Sequence, residues 1–285
     1  MKKSWLNGKN VILTGASSGI GKEITKILIN EFDCLVLGIA RNEEKMLNLI
    51  EELGEKKEKF SYKLFDVSSK TNWEDFAKFL EKENISVDVL INCAGVLPNF
   101  DKFINYDLKT IENIINVNFY SAVYSTKALF SNLEKSEKPM ILNVSSAGAL
   151  CAIPGTSIYS ASKSALKSFT EALDAETNKN MRVSVVCPGF TKTDLFRDQK
   201  HKGDKGIIHK ISMPADKMAR KIIRVIKKRC RRAVLGLDAK LINLLYKFFP
   251  RSAGRICGKV LKSAKVQLFS DVFKNEESRK WLGRY

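Results

Sequence analysis

The stretch NVILTGASSGIG, residues 10–21, decides the fold: a β-branched apolar run ends in a glycine-rich turn and opens at once into a helical pattern. Asn10 to Thr14 reads as a buried strand, and Ile20 to Phe32 as a helix with Ile20, Ile24, Ile27 and Leu28 at helical spacing. Between them Gly15, Gly19 and Gly21, with Ser17, Ser18 and Ile20, form a turn that can bring a helix N-terminus close to a ligand phosphate. The glycine spacing is not the usual G-x-G-x-x-G, so taken alone the turn fits a plain strand-to-helix connection as well as a pyrophosphate cradle.

Outward from this unit the pattern repeats. Strands are expected at Cys34 to Ile39, Phe60 to Phe65, Val87 to Ile91, Met140 to Val144 and Arg182 to Cys187. Helices are expected at Asn42 to Leu53, Asn72 to Lys82, Ser157 to Thr177, and as one long element from Asp107 to Leu133. Continuous apolar runs such as CLVLGI and VSVVC suit strands buried on both faces. Strand-helix alternation of this kind predicts an α/β fold, a Rossmann-like doubly wound parallel sheet in three layers.

After Cys187 the character changes. A polar, basic loop without clear periodicity runs from Thr191 to Ser212, a helix starts at Pro214 and runs to about Arg229, and Arg232 to Leu237 reads as a last strand. Ala239 to Phe249 is a short, intensely apolar helix before Pro250, and a further helix is expected from about Gly254 to Phe269. The division this suggests is an α/β domain over residues 1–237 and a basic, amphipathic helical extension over 238–285.

The chain has 285 residues with 44% hydrophobic and 28% charged side chains, ordinary values for a folded protein, which argues against a disordered or disulfide-scaffold chain. The charge is unevenly placed: residues 1–199 carry 25 basic and 25 acidic side chains, residues 200–285 carry 24 and 6, so the whole net charge of +18 lies in the last third. Six scattered cysteines without a C-x-x-C pair fit a reducing compartment and no zinc site. His201 and His209, eight apart among lysines, read as solvated, so no metal is expected. The N-terminus lacks an apolar stretch of signal-peptide length and no window reaches the length of a membrane span, which suggests a cytoplasmic protein.

Several residues carry chemistry. Where an acidic side chain would accept hydrogen bonds from the adenine ribose of NAD, the second strand ends in Ala40-Arg41. Arg41 suits a 2'-phosphate, hence NADP, although an arginine at an exposed helix start reads as well. Asp66, beside Val67, either caps the adenine side or caps the next helix. Tyr159 and Lys163, at i and i+4 in YSASK, share one helix face. A neighbouring ammonium lowers the pKa of a phenol by stabilising the phenolate, which makes the tyrosine a usable general acid or base. Ser146, at the end of the preceding strand, is placed to hydrogen-bond the same substrate oxygen.

Together these features resemble the short-chain dehydrogenase/reductase (SDR) family in its classical form, over roughly residues 8 to 237. TGASSGIG is similar to its cofactor loop, and NCAG, with Asn92, Ala94 and Gly95, to its NNAG element, Cys93 replacing the second Asn. Asn118 in NVNFYS matches the family's catalytic Asn, Ser146 its catalytic Ser, Tyr159 and Lys163 its YxxxK pair. PGFTKT, with Pro188, Gly189, Thr191 and Thr193, is similar to the segment that contacts the nicotinamide. The resemblance implies hydride transfer between NADP(H), or NAD(H), and a carbonyl or alcohol. In it Tyr159 exchanges the proton, Lys163 lowers its pKa and holds the ribose, Ser146 orients the carbonyl and Asn118 supports a water chain. It also implies a homodimer or homotetramer.

The substrate is left to the variable segments. The cluster Leu241, Ile242, Leu244, Leu245, Tyr246, Phe248 and Phe249 among lysines and arginines resembles the tails of lipid- and steroid-directed family members, whose terminal helices lie on or beside the substrate entrance, which implies a hydrophobic, lipid-like or steroid-like carbonyl compound and a 238–285 extension packed there on a catalytic domain of residues 1–237. It also suits peripheral contact of residues 238–285 with an anionic membrane surface, on its inner face; packing against the core or a second subunit is the plainer reading. Nucleic acid is disfavoured, since the aromatics cluster with aliphatics. Lys200, Lys202 and Lys205 suit an anionic substrate or mere solubility. The alternative to a reductase is a non-catalytic NADP-binding sensor or membrane-associated scaffold with the same fold.

Overall fold

The computed structural model describes residues 4–193, 195, 207–264 and 266–273. Lys200, His201, Lys202, Lys205 and residues 274–285 lie outside the described residues, as does the side chain of His209.

Seven strands form one parallel sheet: β1 (Asn10–Thr14), β2 (Leu35–Ala40), β3 (Phe60–Leu64), β4 (Val89–Asn92), β5 (Met140–Val144), β6 (Arg182–Pro188) and a later β9 (Arg232–Leu235), in the order β3-β2-β1-β4-β5-β6-β9. Successive strands run outward from β1 on one side, then from β4 on the other. That reversal opens a crevice at the carboxyl ends of β1 and β4, where ligands bind in open α/β sheets.

Alternation along each strand sorts the core into two halves. Val11, Leu13, Val36, Val89, Ile91 and Leu142 face α1 (Gly19–Phe32), α2 (Glu43–Leu53) and α8 (Ala215–Lys228). On the other face Ile12, Ile39, Leu90, Ile141 and Val183 meet α3 (Lys70–Lys82) and α5 (Ser121–Glu134). Helix α6 (Ser157–Glu176) covers β5 and β6 on this side, its Thr170 accepting from the amide of Asn143. The sheet is therefore the middle of three layers. Trp73 is wholly buried, ring edge against Phe65 at 5.2 Å, its indole N–H on the Val67 carbonyl.

Three expectations need correction. The long helix from Asp107 to Leu133 is two, α4 (Leu108–Ile115) and α5, joined by a π turn over Asn116–Tyr120. The wider turn carries Asn118 inward, where its side chain pairs with the main chain of Val96, a bond that a straight α-helical register does not anticipate. The loop after β6 holds β7 (Thr191–Lys192) and α7 (Ile207–Ile211), and β7 pairs with β8 (Met213–Pro214). The helix expected to reach Phe269 stops earlier: α9 (Leu237–Phe248) is followed by α10 (Ala253–Ser263), a 3-10 turn over Gln267–Phe269 and the short α11 (Ser270–Phe273). The break lets Val266 and Phe269 turn into a small separate core with Phe100 and Ile208. No described helix is long and apolar enough to cross a membrane.

Candidate active site

The glycine turn after β1 is built around backbone contacts. Gly15 has φ of 72°, and a Cβ there would lie 3.0 Å from the Cα of Ala94; a Cβ on Gly21 would strike the Gly15 carbonyl. Thr14 Oγ1 accepts from the amides of Cys93 at 3.0 Å and Ala94 at 3.1 Å, tying the turn to the NCAG segment at the end of β4. Helix α1 begins at Gly19 with Ser18 at its N-cap, no side-chain cap bond and no acidic residue in its first turn. Its free first-turn amides and positive dipole end are open to an anion. Thr193 stands over this end, 3.1 Å from where a Cβ of Gly19 would be. The cradle thus fits the pyrophosphate of a dinucleotide by shape and by charge.

Arg41 is exposed at the end of β2, and its charge reaches Asp66 after β3. Burial pushes the Asp66 carboxyl up, but hydrogen bonds from the Ser68 amide and hydroxyl, with the Arg41 charge, outweigh it and hold the group below its ordinary value. Asp66 does not cap α3; Ser69 does, accepting from the Asn72 amide. Val67 is buried beneath, in the core. Asn92 is spent internally, donating to Asn143 Oδ1 and accepting from Ser125 Oγ, both at 2.8 Å. It joins β4, β5 and α5 and does not line the cleft.

The remaining expected residues converge on one cleft. Gly15, Ser18, Ile20, Ala94, Gly95, Ser146, Tyr159, Lys163, Pro188, Gly189, Thr191 and Thr193 line it together with Gly19 and Gly21. Ser17 and the buried Asn118 are not part of the lining. Tyr159 and Lys163 reach it from consecutive turns of α6, and Ser146 from just beyond β5, its Oγ and the Tyr159 ring each 3.6 Å from where a Cβ of Gly148 would be. Burial raises the Tyr159 phenol above its ordinary value, with the nearby Ser146 hydroxyl opposing. Burial also pulls the Lys163 ammonium down to about 8. The Lys163 Nζ donates to the Val144 carbonyl at 3.0 Å, and it and the Asn118 side-chain oxygen both lie close to Gly95. Asn118 is buried, accepting from the Val96 amide at 2.8 Å and donating to the Val96 carbonyl and Ser162 Oγ. A phenol, a hydroxyl and an ammonium on one wall can hold a carbonyl oxygen and deliver a proton to it.

The other end of the cleft is apolar, with Leu97, Phe100, Ile153, Phe190, Leu195 and Ile242. Sequence reasoning missed most of these, because they lie on loops with no periodicity to mark them. It also missed Asp238, whose carboxylate accepts from the Phe190 amide at 2.6 Å and closes against Gly189. An acidic residue in a strongly basic segment was the available signal.

The chain matches the short chain dehydrogenase family over residues 9–204. It belongs to that family. Among curated members, this dehydrogenase is 33% identical over 217 residues to the NADP-dependent 3-hydroxy acid dehydrogenase of Schizosaccharomyces pombe, covering 74% of this chain and 83% of that one. It is 29% identical over 204 residues to 3beta-hydroxysteroid dehydrogenase 2 of Eggerthella lenta, covering 71% of this chain and 78% of that one. A solved short-chain dehydrogenase from Streptomyces avermitilis shares the fold with a TM-score of 0.74 at 23% identity, covering 92% of this chain and 99% of that one.

Proposed function

We propose that this short-chain dehydrogenase is an NADP(H)-dependent reductase of a hydrophobic ketone or aldehyde, lipid-like or steroid-like in character. The observation that carries the reading is the meeting of Ser146, Tyr159 and Lys163 between a phosphate-sized cradle and an apolar pocket end. The cofactor supplies the hydride. Gly15, Ser18, Gly19, Ile20 and Gly21 hold its pyrophosphate with Ser17 in the same turn, Asp66 borders the adenine above the buried Val67, and Ala94 and Gly95 bear on the cofactor while Asn92 fixes their strand from within. Pro188, Gly189, Thr191 and Thr193 close on the nicotinamide.

Tyr159 gives its hydroxyl proton to the carbonyl oxygen as the alcohol forms, and Ser146 donates to that oxygen to orient it. The charged Lys163 holds the ribose and favours the tyrosinate left behind. Asn118, fixed by Val96, supports the water chain that returns the proton. Exposed Arg41, with no carboxylate at the end of β2, favours NADP, and the name of the 3-hydroxy acid dehydrogenase relative agrees. The two curated relatives are named for different substrates, a steroid and a 3-hydroxy acid, so the apolar lining is what supports the substrate class.

Residues 1–237 form the catalytic domain in this reading and 238–285 an extension beside the substrate entrance, supported by Ile242 lining the cleft. Leu108 on α4 and Tyr120 on the π turn are exposed, which supports a homodimer or homotetramer through these helices. The reading is tested by NADPH and NADH oxidation against steroid, 3-oxoacyl and aldehyde substrates, with Tyr159→Phe as control. Turnover with NADPH that the variant loses is expected. Tight nucleotide binding without turnover of any substrate would favour a non-catalytic NADP sensor or scaffold instead.

A further inference from the structure

Helix α9 carries two different faces. One is occupied: Ala239 is fully buried, Ile242 borders the cleft, and Asp238 is bonded to Phe190. The other presents Leu237, Leu241, Leu244 and Phe248, in one stripe at helical spacing, with exposures of 78%, 67%, 51% and 71%, and Phe249 continues it. Helix α10 is seated the same way. Ala253 is buried, and Gly254 lies so close to the Ala152 carbonyl that a Cβ there would come within 2.6 Å of it, while Ile256 and Val260 stay exposed. Both helices therefore already have a packed side, and the exposed apolar side chains are additional to it.

Exposed cations are interspersed with these apolar side chains along both helices. Residues 237–264 contain six basic side chains, Lys240, Lys247, Arg251, Arg255, Lys259 and Lys262, all exposed, and one acidic side chain, Asp238, which is turned to Phe190. Among the described residues none of the six is in an ion pair.

We infer that α9 and α10 dock this face on an anionic lipid bilayer, leucines and phenylalanines in the acyl boundary and cations at the headgroups. A second copy of the chain is a poor occupant, because a symmetric contact would press six cations against six others without a carboxylate between them. Nucleic acid matches the cations but leaves the apolar stripe in water. A bilayer satisfies both. Helix α9, with 12 residues, is far too short to span and lies in the interface plane. Since Ile242 of the same helix borders the cleft, docking brings the pocket close to membrane-dissolved carbonyl compounds; this delivery rests on the proposed substrate class, whereas the docking does not.

The test is co-sedimentation of the full chain with phosphatidylcholine vesicles with and without phosphatidylglycerol. Binding to the anionic vesicles that weakens with added salt is expected, and Leu241→Glu with Phe248→Glu should weaken it at least ~10-fold. Lys240→Glu with Lys247→Glu, at exposed positions that leave packing intact, should weaken it as well, and NADPH binding should be unchanged in both variants. No binding to anionic vesicles, or undiminished binding in both double variants, overturns the proposal. So does a wild-type dimer that Leu241→Glu with Phe248→Glu converts to monomer while vesicle binding is absent. Vesicle binding that persists in a protein without reductase activity would leave the docking standing and remove the proposed chemistry.

Discussion

The ammonium of Lys163 and the carbonyl of Val144, the last residue of β5, meet at 3.0 Å inside the protein, where burial holds the lysine down to about 8. Its ordinary value is 10.5, so between about 8 and that value the folded chain has released a proton that the unfolded chain keeps. Stability contributed by this group therefore rises with pH across that window, while the charged form disappears. Carbonyl reduction that needs the ammonium should fall as pH rises through about 8. A kcat/KM profile on the NADPH side checks this, and the limb should vanish in Lys163→Met; a flat profile to pH 10 would contradict it.

Tyr159→Phe removes the only proton that the side chain at this position can deliver. Turnover should drop by ~10²–10⁴-fold, the usual worth of a positioned acid. Nucleotide affinity, read by fluorescence titration, should hold within a few-fold.

Arg41→Asp exchanges a cation for a carboxylate at the end of β2. A charged hydrogen bond contributes about 1.5–3 kcal/mol, so the ratio of kcat/KM for NADPH over NADH should fall by roughly 10–100-fold. An unchanged ratio would remove the cofactor argument.

Asp174, near the end of α6, accepts from Arg182 Nη1 at 2.9 Å, from the Val183 amide at 3.0 Å and pairs with Arg231 Nε at 3.0 Å, with its own side chain 9% exposed. It clamps α6 to β6 and the approach to β9. Asp174→Ala should destabilise by about 2–4 kcal/mol, because the partly buried Arg182 loses its partner. Chemical denaturation measures it, and a loss under ~1 kcal/mol would show the clamp to be redundant.

Phe269 is fully buried and stacks on Phe100, ring centroids 4.4 Å apart and planes within 6°. Phe100 lines the apolar end of the cleft, so Phe269→Ala should raise KM for a bulky carbonyl substrate while leaving nucleotide affinity nearly unchanged. Equal effects on both would mean that the variant disturbs the whole fold.

Much of this molecule is legible from short-range pattern. Seven strands and their crossover helices follow from β-branched runs and helical spacing, and Tyr159 and Lys163 share a helix face because four residues are about one turn. Asn118 is legible as a residue, but the π turn that carries it inward is not: it is held by the main chain of Val96, 22 residues away, and by Ser162 of α6. The pocket's far wall is hidden for the same reason. Phe100 and Phe269 are 169 residues apart, and neither lies in a run whose period announces a partner.

The amino-acid order by itself determined the layered sheet, the glycine turn at its switch point and the chemical types brought to the cleft, because backbone geometry and hydrophobic period act over a few residues. Only the tertiary structure decided which apolar side chains close the pocket, that Asp238 is turned inward on Phe190, and that one stripe of α9 stays uncovered. Those outcomes depend on which segments meet after the sheet has formed, and no local interaction encodes that meeting.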